Sequence, residues 1–442
     1  MKFKQLTQFA KLTKVVPFNT VTLKLTLILS LTGLTGVVQA KTIAITNATV
    51  YTVASQGILS QATVIIENDI ITAINPEQVN ADETIDANGR ILTPGLIGSM
   101  NTLGLVEVSA VARTLDGSDK KADITFDASL AFNPKSTLIA YSRKGGITSN
   151  IIAPNGGEGL FAGQTFAANL SGGFSSIIAK QNGVLVYLGA TSKGSRAQKL
   201  QALDHSFADL QEKLNTKADK EVEKEIEQAV SKDEKPVKKL KRDEKVIKAL
   251  LSGEKPLLAY ADRATDLLAL LALKQKYALD LVLVSASDAV LVADEIAAAN
   301  VPVIMSAIDN LPSSFDSLHG NLSNMAVLAK AGVKVILAPK GDSHNLNQLR
   351  FDAGIAVANG LAKTAALSAL TANVADVFKL NSGRIAVGKN ADLVLWSADP
   401  FELSTKVDLM WISGKQVSTQ SRQDALRNRY MAQSDMPKAY NK

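Results

Sequence analysis

The side chains of this sequence best able to do chemistry together are two carboxylates, Asp262 and Asp342, and one imidazole, His344, two positions beyond the second. Asp262 directly follows the apolar run Leu257 to Ala261, and Asp342 comes shortly after the run Val333 to Leu337. Carboxylates and an imidazole facing one cavity could hold a divalent ion weakly, or one carboxyl, raised in pKa, could act as an acid without metal. Asp262 has other partners open to it, the adjacent Arg263 or a helix N-terminus. The remaining histidines are His205, which begins a charged stretch and reads as a surface residue, and His319, which reads as a loop contact among Asn310, Pro312 and Gly320. The chain has no cysteine, which excludes disulfides, thiolate metal sites and cysteine nucleophiles. It also lacks a Walker loop, a Gly-x-Ser-x-Gly elbow and a His-Glu-x-x-His helix. Asn155-Gly156-Gly157-Glu158-Gly159 invites a phosphate-cradle reading but is read as a mobile loop after the second barrel strand.

The elements that would position these residues read as alternating strands and helices. Apolar runs at Gly146 to Ala153, Leu257 to Ala261, Leu281 to Val284, Val301 to Met305 and Val333 to Leu337 alternate with helical patterns such as Asp266 to Tyr277 and Ala289 to Ala299. Strand then helix, repeated, predicts a parallel sheet, and 442 residues suit a large α/β barrel with a smaller companion. Before it, Ile43-Ala44-Ile45 and Val64-Ile65-Ile66-Glu67 alternate as short strands of a β-domain, with a turn at Asn68-Asp69. Residues 206–249 carry dense mixed charge, which predicts an exposed helical insert with opposite charges at i,i+4.

The first forty residues differ from the rest. Lys2, Lys4, Lys11 and Lys14 precede an apolar run from Leu25 to Leu34 and the small-residue ending Val38-Gln39-Ala40. This predicts a secretory signal peptide cleaved after Ala40, a periplasmic destination, and no stable membrane anchor after cleavage. That segment holds five of the 48 basic residues and none of the 42 acidic ones, so the remainder is nearly neutral, at +1. No basic footprint for nucleic acid remains. Hydrophobic residues at 46% and charged residues at 20% fit a folded soluble chain.

Asn373, Ala375, Gly383, Ile385, Gly388 and the run Ala391-Asp392-Leu393-Val394-Leu395 make a specific pattern near the C-terminus. Pro94-Gly95-Leu96-Ile97, Ile45-x-Asn47-Ala48 and Ile85-Asp86-Ala87-x-Gly89 accompany it near the N-terminus. Between them lie Gly145-Gly146-Ile147-Thr148, Phe161-Ala162-Gly163-Gln164, Ala261-Asp262-Arg263-Ala264 and Gly341-Asp342-Ser343-His344-Asn345. On these residues the chain resembles the amidohydrolase superfamily, most of all its imidazolonepropionase-like branch. The resemblance implies an α/β fold: a TIM-like (β/α)8 barrel over residues 93–384, and a small composite β-sandwich domain from residues 41–92 and 385–420. Residues 421–442 form a polar tail.

The resemblance also implies a divalent metal such as zinc at the C-terminal mouth of the barrel, with imidazoles as most of its ligands. Here the family's Asp-x-His-x-His reads Gly98-Ser99-Met100-Asn101-Thr102. Tyr260 and Ser285 occupy two further histidine positions, so Met100, Thr102, Tyr260 and Ser285 form a degenerate ligand set. Asp342 matches the family's general base. The cofactor is thereby left open. Two functions follow: a divergent hydrolase of carbon–nitrogen bonds in non-peptide or cyclic amides, or a noncatalytic periplasmic binding protein on the same scaffold. Either partner is a small molecule, and family members often form dimers.

Overall fold

The computed structural model describes residues 41–189, 194–227, 239–339 and 343–431, with side chains omitted over 217–227. Residues 1–40, which carry the expected signal peptide, together with Asp342, residues 228–238 of the charged insert and the end of the polar tail, lie outside the described residues. The N-terminal strands are β1 (Thr42–Tyr51), β2 (Ile58–Glu67), β3 (Ile70–Ile74), β4 (Glu83–Asp86) and β5 (Ile91–Pro94). β1 pairs antiparallel with β2 and parallel with β4 and β5. Asn68 turns β2 into β3 with φ of 57°, a left-handed conformation that asparagine tolerates in turns.

Gly95 then links this sheet to the barrel, whose strands run in sheet order as in sequence. They are β6 (Leu96–Asn101), β7 (Ile147–Ile152), β8 (Phe161–Asn169), β9 (Ile177–Tyr187), β10 (Leu257–Ala261), β11 (Leu281–Ser285), β12 (Val303–Met305) and β13 (Val335–Leu337). Neighbours are parallel except at β8, which is antiparallel to both β7 and β9. The expected helix between these strands is replaced by tight connections, as antiparallel pairing allows. Along each strand alternate residues face in: Ile97, Leu185, Leu258, Val282, Ile304 and Ile336 fill the interior, all fully buried. The opposite faces, Ala259, Leu283, Val303 and Val335 among them, pack against the helices.

Those helices are α1 (Thr137–Arg143), α2 (Arg196–Glu227), α3 (Arg242–Leu251), α4 (Ala264–Tyr277), α5 (Ala293–Ala298), α6 (Asn324–Lys330), α7 (Leu349–Ala358), α8 (Lys363–Ala369) and α9 (Ala372–Val377). The charged stretch begins within α2, which is not wholly solvated: Leu203, Phe207 and Leu210, at helical spacing, are buried against the barrel's outer layer. β13 and β6 do not pair. The segment through α8 and α9 closes that seam, with the Ile97 N–H donating to the Leu370 carbonyl at 2.8 Å and the Asn373 amide donating to the Val335 carbonyl at 2.8 Å.

After Gly388 the chain returns to the first sheet as β14 (Leu393–Trp396), β15 (Val407–Ile412) and β16 (Lys415–Gln416). β14 pairs antiparallel with β5, so strands from both chain ends enclose one core around Ile45, Val64, Leu92, Leu393 and Trp411. The junction with the barrel is tight. Gly146, at φ of 80°, backs onto Trp396, whose indole N–H donates to Thr93 Oγ1 at 2.8 Å; a Cβ on Gly146 would lie 2.2 Å from the ring. Arg350 of α7 is buried and donates to the carbonyls of Pro400, Glu402 and Thr405 at 2.6–2.7 Å, clamping the loop before β15. The start of the polar tail forms a helix, α10 (Arg422–Met431), whose Asp424 pairs with Lys144 at 2.8 Å. No helix among the described residues is long and apolar enough to cross a membrane.

Candidate functional site

A cavity of about 300 Å³ opens at the C-terminal ends of the barrel strands. Its floor is the next inward layer above the buried core: Met100 follows Ile97, Tyr260 follows Leu258 and Val284 follows Val282. Its rim comes from the segments just beyond the strands, Asp262, Ser285, Ser287, Ser306, Ala338 and Pro339, and from the loop between β12 and α6, including Asp309, Asn310 and Leu311. Two strand ends carry left-handed residues there, Met100 at φ of 56° and Ser285 at 72°. Such conformations cost of order 1–3 kcal/mol and persist only where the surroundings hold them.

Tyr260 stacks on Tyr187, the ring centroids 4.6 Å apart and the planes inclined by 26°. Burial pushes the Tyr187 phenol up to about 12 despite its hydrogen bond with Tyr260, and pushes Tyr260 well above its ordinary range. Both are neutral phenols at physiological pH. Beside Met100, Asn101 and Asn150 exchange amide hydrogen bonds at 2.9 Å in both directions, so these buried polar groups satisfy each other rather than the cavity.

Asp262 is held from one side. Oδ1 accepts the backbone N–H of Ser287 at 3.2 Å and its hydroxyl at 2.9 Å. It does not pair with Arg263, whose guanidinium goes to Asp316. Arg196 joins Asp316 as well and reaches Asp266 at 3.3 Å, fastening the β12–α6 loop to α2 and α4. Asp352 of α7 holds the loop's other end, accepting the Ile308 N–H at 2.6 Å and the Ser306 hydroxyl at 3.2 Å. Burial pushes the Asp352 carboxyl up to about 6, opposed by these donors.

The structure thus brings Met100, Tyr260, Ser285 and Asp262 to one cavity. Thr102 is turned aside, its hydroxyl 3.2 Å from that of Ser343. Asp342 lies outside the described residues, between Pro339 of the rim and Ser343. His344 is exposed on the turn Ser343–Gln348 and does not line the cavity, against the expectation of a place over the barrel mouth. His319 makes the expected loop contact, Nδ1 to Asp288 at 2.8 Å, and His205 is exposed. Sequence reasoning missed Tyr187, Ser287 and Asp309; only the alternation of Val184-Leu185-Val186-Tyr187 signalled that Tyr187 faces in with Leu185.

The described donors do not fit a catalytic divalent metal. Among the described residues no three His, Cys, Asp or Glu side chains gather as one would require. Met100, Ser285 and Tyr260 offer the cavity a thioether, a hydroxyl and a phenol that burial keeps protonated, all weak ligands for zinc.

The fold is of the α/β class, a nearly closed eight-stranded barrel sheet beside a separate β-sheet built from strands 42–94 and 393–416. Residues 257–417 match the model of the amidohydrolase family. Among solved structures, an amidohydrolase from Thermotoga maritima is similar at 22% identity and a TM-score of 0.74, covering 85% of this chain and 99% of that one. A prolidase complexed with N-methylphosphonate-L-proline is similar at 15% identity and a TM-score of 0.54, covering 86% and 100%. Phenylurea hydrolase B is similar at 17% and 0.54, covering 86% and 97%. A search of curated proteins finds no match.

Proposed function

We propose that the protein is a divergent hydrolase of carbon–nitrogen bonds in a small molecule bound at the barrel mouth. The observation that carries this reading is the cavity itself, which lies where TIM-barrel enzymes place their sites and joins Met100, Tyr260, Asp262 and Ser285. The family match over 257–417 supports the reaction class. The similar folds include a prolidase and a phenylurea hydrolase, whose names both denote carbon–nitrogen cleavage. Asp342 and Asp262 are the carboxylates that would transfer protons to and from the substrate. The degenerate ligand set and the branch nearest imidazolonepropionase-like proteins belong to this proposal, as does export to the periplasm with cleavage after Ala40.

A second reading, a binding protein without catalysis, is favoured by one observation: the positions that would carry imidazoles present a thioether, a hydroxyl and a stacked neutral phenol. The two readings part in one experiment. The purified protein is incubated with amides, cyclic amides, ureas and N-acyl amino acids, and released amine is measured beside ligand binding. Turnover that Asp342→Asn abolishes supports the hydrolase; binding without turnover supports the alternative.

A further inference from the structure

Among the described residues, the charge lining the cavity has one sign. Its described lining residues include two carboxyl groups, Asp262 and Asp309, and no lysine, arginine or histidine accompanies them. The nearby cations are committed elsewhere: Arg196 and Arg263 pair with Asp316, and Arg196 also with Asp266. Asp262 is the better organised carboxylate. With Oδ1 fixed by the two Ser287 donors, its Oδ2 accepts no hydrogen bond from the described residues. Behind it lies an apolar and aromatic floor of Met100, Tyr260, Val284 and Ile304.

A held carboxylate at the edge of an apolar space attracts a ligand cation more strongly than it would in open water. A tyrosine face favours the same charge through its ring quadrupole, and a thioether accommodates an apolar body. A volume of about 300 Å³ is at the small end of ligand pockets. We propose that this cavity takes a small organic cation, an ammonium or amidinium group on a compact apolar body, with Asp262 receiving the charge and the Tyr260 side of the floor receiving the body. The inference rests on reading the cavity as the ligand site, and it adds the class of ligand.

Three probes that share a body and differ in head group test it: benzylammonium, benzyl alcohol and benzoate, titrated calorimetrically into the full chain at neutral pH. Benzylammonium is expected to bind at least about tenfold tighter than benzyl alcohol, and benzoate more weakly than either. Added salt should weaken the cation alone. Asp262→Asn should erase the preference, and Asp309→Asn, at an exposed position, should reduce it by less. If Asp262→Asn fails to fold, the three-probe comparison on the wild type and on Asp309→Asn decides. Benzyl alcohol or benzoate binding as tightly as the cation, no binding by any probe, or a preference that survives Asp262→Asn overturns the inference. Cation preference without turnover of any amide would remove the hydrolase reading and leave this one standing. Turnover of neutral or anionic amides without cation preference would do the reverse.

Discussion

Tyr260 and Tyr187 lie face to face at the barrel mouth, 4.6 Å between ring centroids. Tyr260 stands where the amidohydrolase resemblance places an imidazole. A phenol ligates a metal well only as phenolate, and burial works against that form in both rings. The pair therefore serves as a wall of the cavity. Tyr260→Ala should destabilise the protein by about 3 kcal/mol, since it removes a large ring from the top of the core and leaves Tyr187 unstacked. Tyr260→Phe keeps the stack and should cost less than about 1.5 kcal/mol. Urea unfolding of the two variants checks the order; equal losses would mean that the stack does not hold the wall.

The same chemistry bears on metal content. Protein purified without chelator is expected to contain far less than one zinc per chain by elemental analysis, because Met100, Tyr260 and Ser285 offer the cavity no strong zinc ligand. About one zinc per chain, lost together with activity on chelation, would establish a ligand set built differently from the one described.

Stability should depend on pH with a definite sign. Burial raises Asp352 and Asp392 to about 6 from the ordinary 3.8. A carboxyl raised by folding binds its proton more tightly in the native chain, so its contribution is greatest below about pH 4 and declines as pH rises through 6. Asp376 and Asp204 are held low by Arg384 and Lys276, and their contributions are lost only as pH falls below the ordinary carboxyl range. The urea midpoint should therefore rise on going from pH 7.5 to about 5.5 and fall again below about 4. Asp352→Asn should flatten the first change. A midpoint that falls steadily from neutral pH would contradict this.

Two residues should prove intolerant at the junction of barrel and sheet. Arg350→Met strips three buried carbonyls of their donor and should cost about 3–5 kcal/mol. Arg350→Lys should rescue little, because an ammonium cannot reproduce the planar fork. Gly146→Ala should cost more than about 2 kcal/mol, since its methyl would meet the Trp396 ring at 2.2 Å on a backbone with φ of 80°. Thermal unfolding measures both, and a change within about 0.5 kcal/mol would place these residues outside the junction's packing.

What could be read in advance follows from how local each signal is. Leu257–Ala261 and Leu281–Ser285 announce themselves as strands because they are buried on both faces and so uniformly apolar. The β8–β9 hairpin does not, because Gln164, Thr165, Asn169 and Gln181 interrupt its apolar pattern, and Gln164 and Gln181 find their partners only at a distance, in Lys255 and Asp127. In the site, Tyr260 and Asp262 are legible because the motif flanking them survives. Ser287 and Asp309 are not: each reaches the cavity from a loop whose course depends on distant anchors, Asp262 for the one and Asp352 for the other. His344 is exposed on the turn Ser343–Gln348, and its course there is set by the fold of that turn, which the sequence does not announce.

The measurement to make first is amine release from a panel of amides, cyclic amides and ureas, comparing the wild type with Asp342→Asn and Asp262→Asn. Hydrolysis at the barrel mouth predicts turnover of at least one compound, a fall of about 100-fold or more in kcat for Asp342→Asn, and a smaller fall in kcat together with a rise in KM for Asp262→Asn. Turnover unchanged in both variants, or no turnover of compounds that demonstrably occupy the cavity, would contradict it.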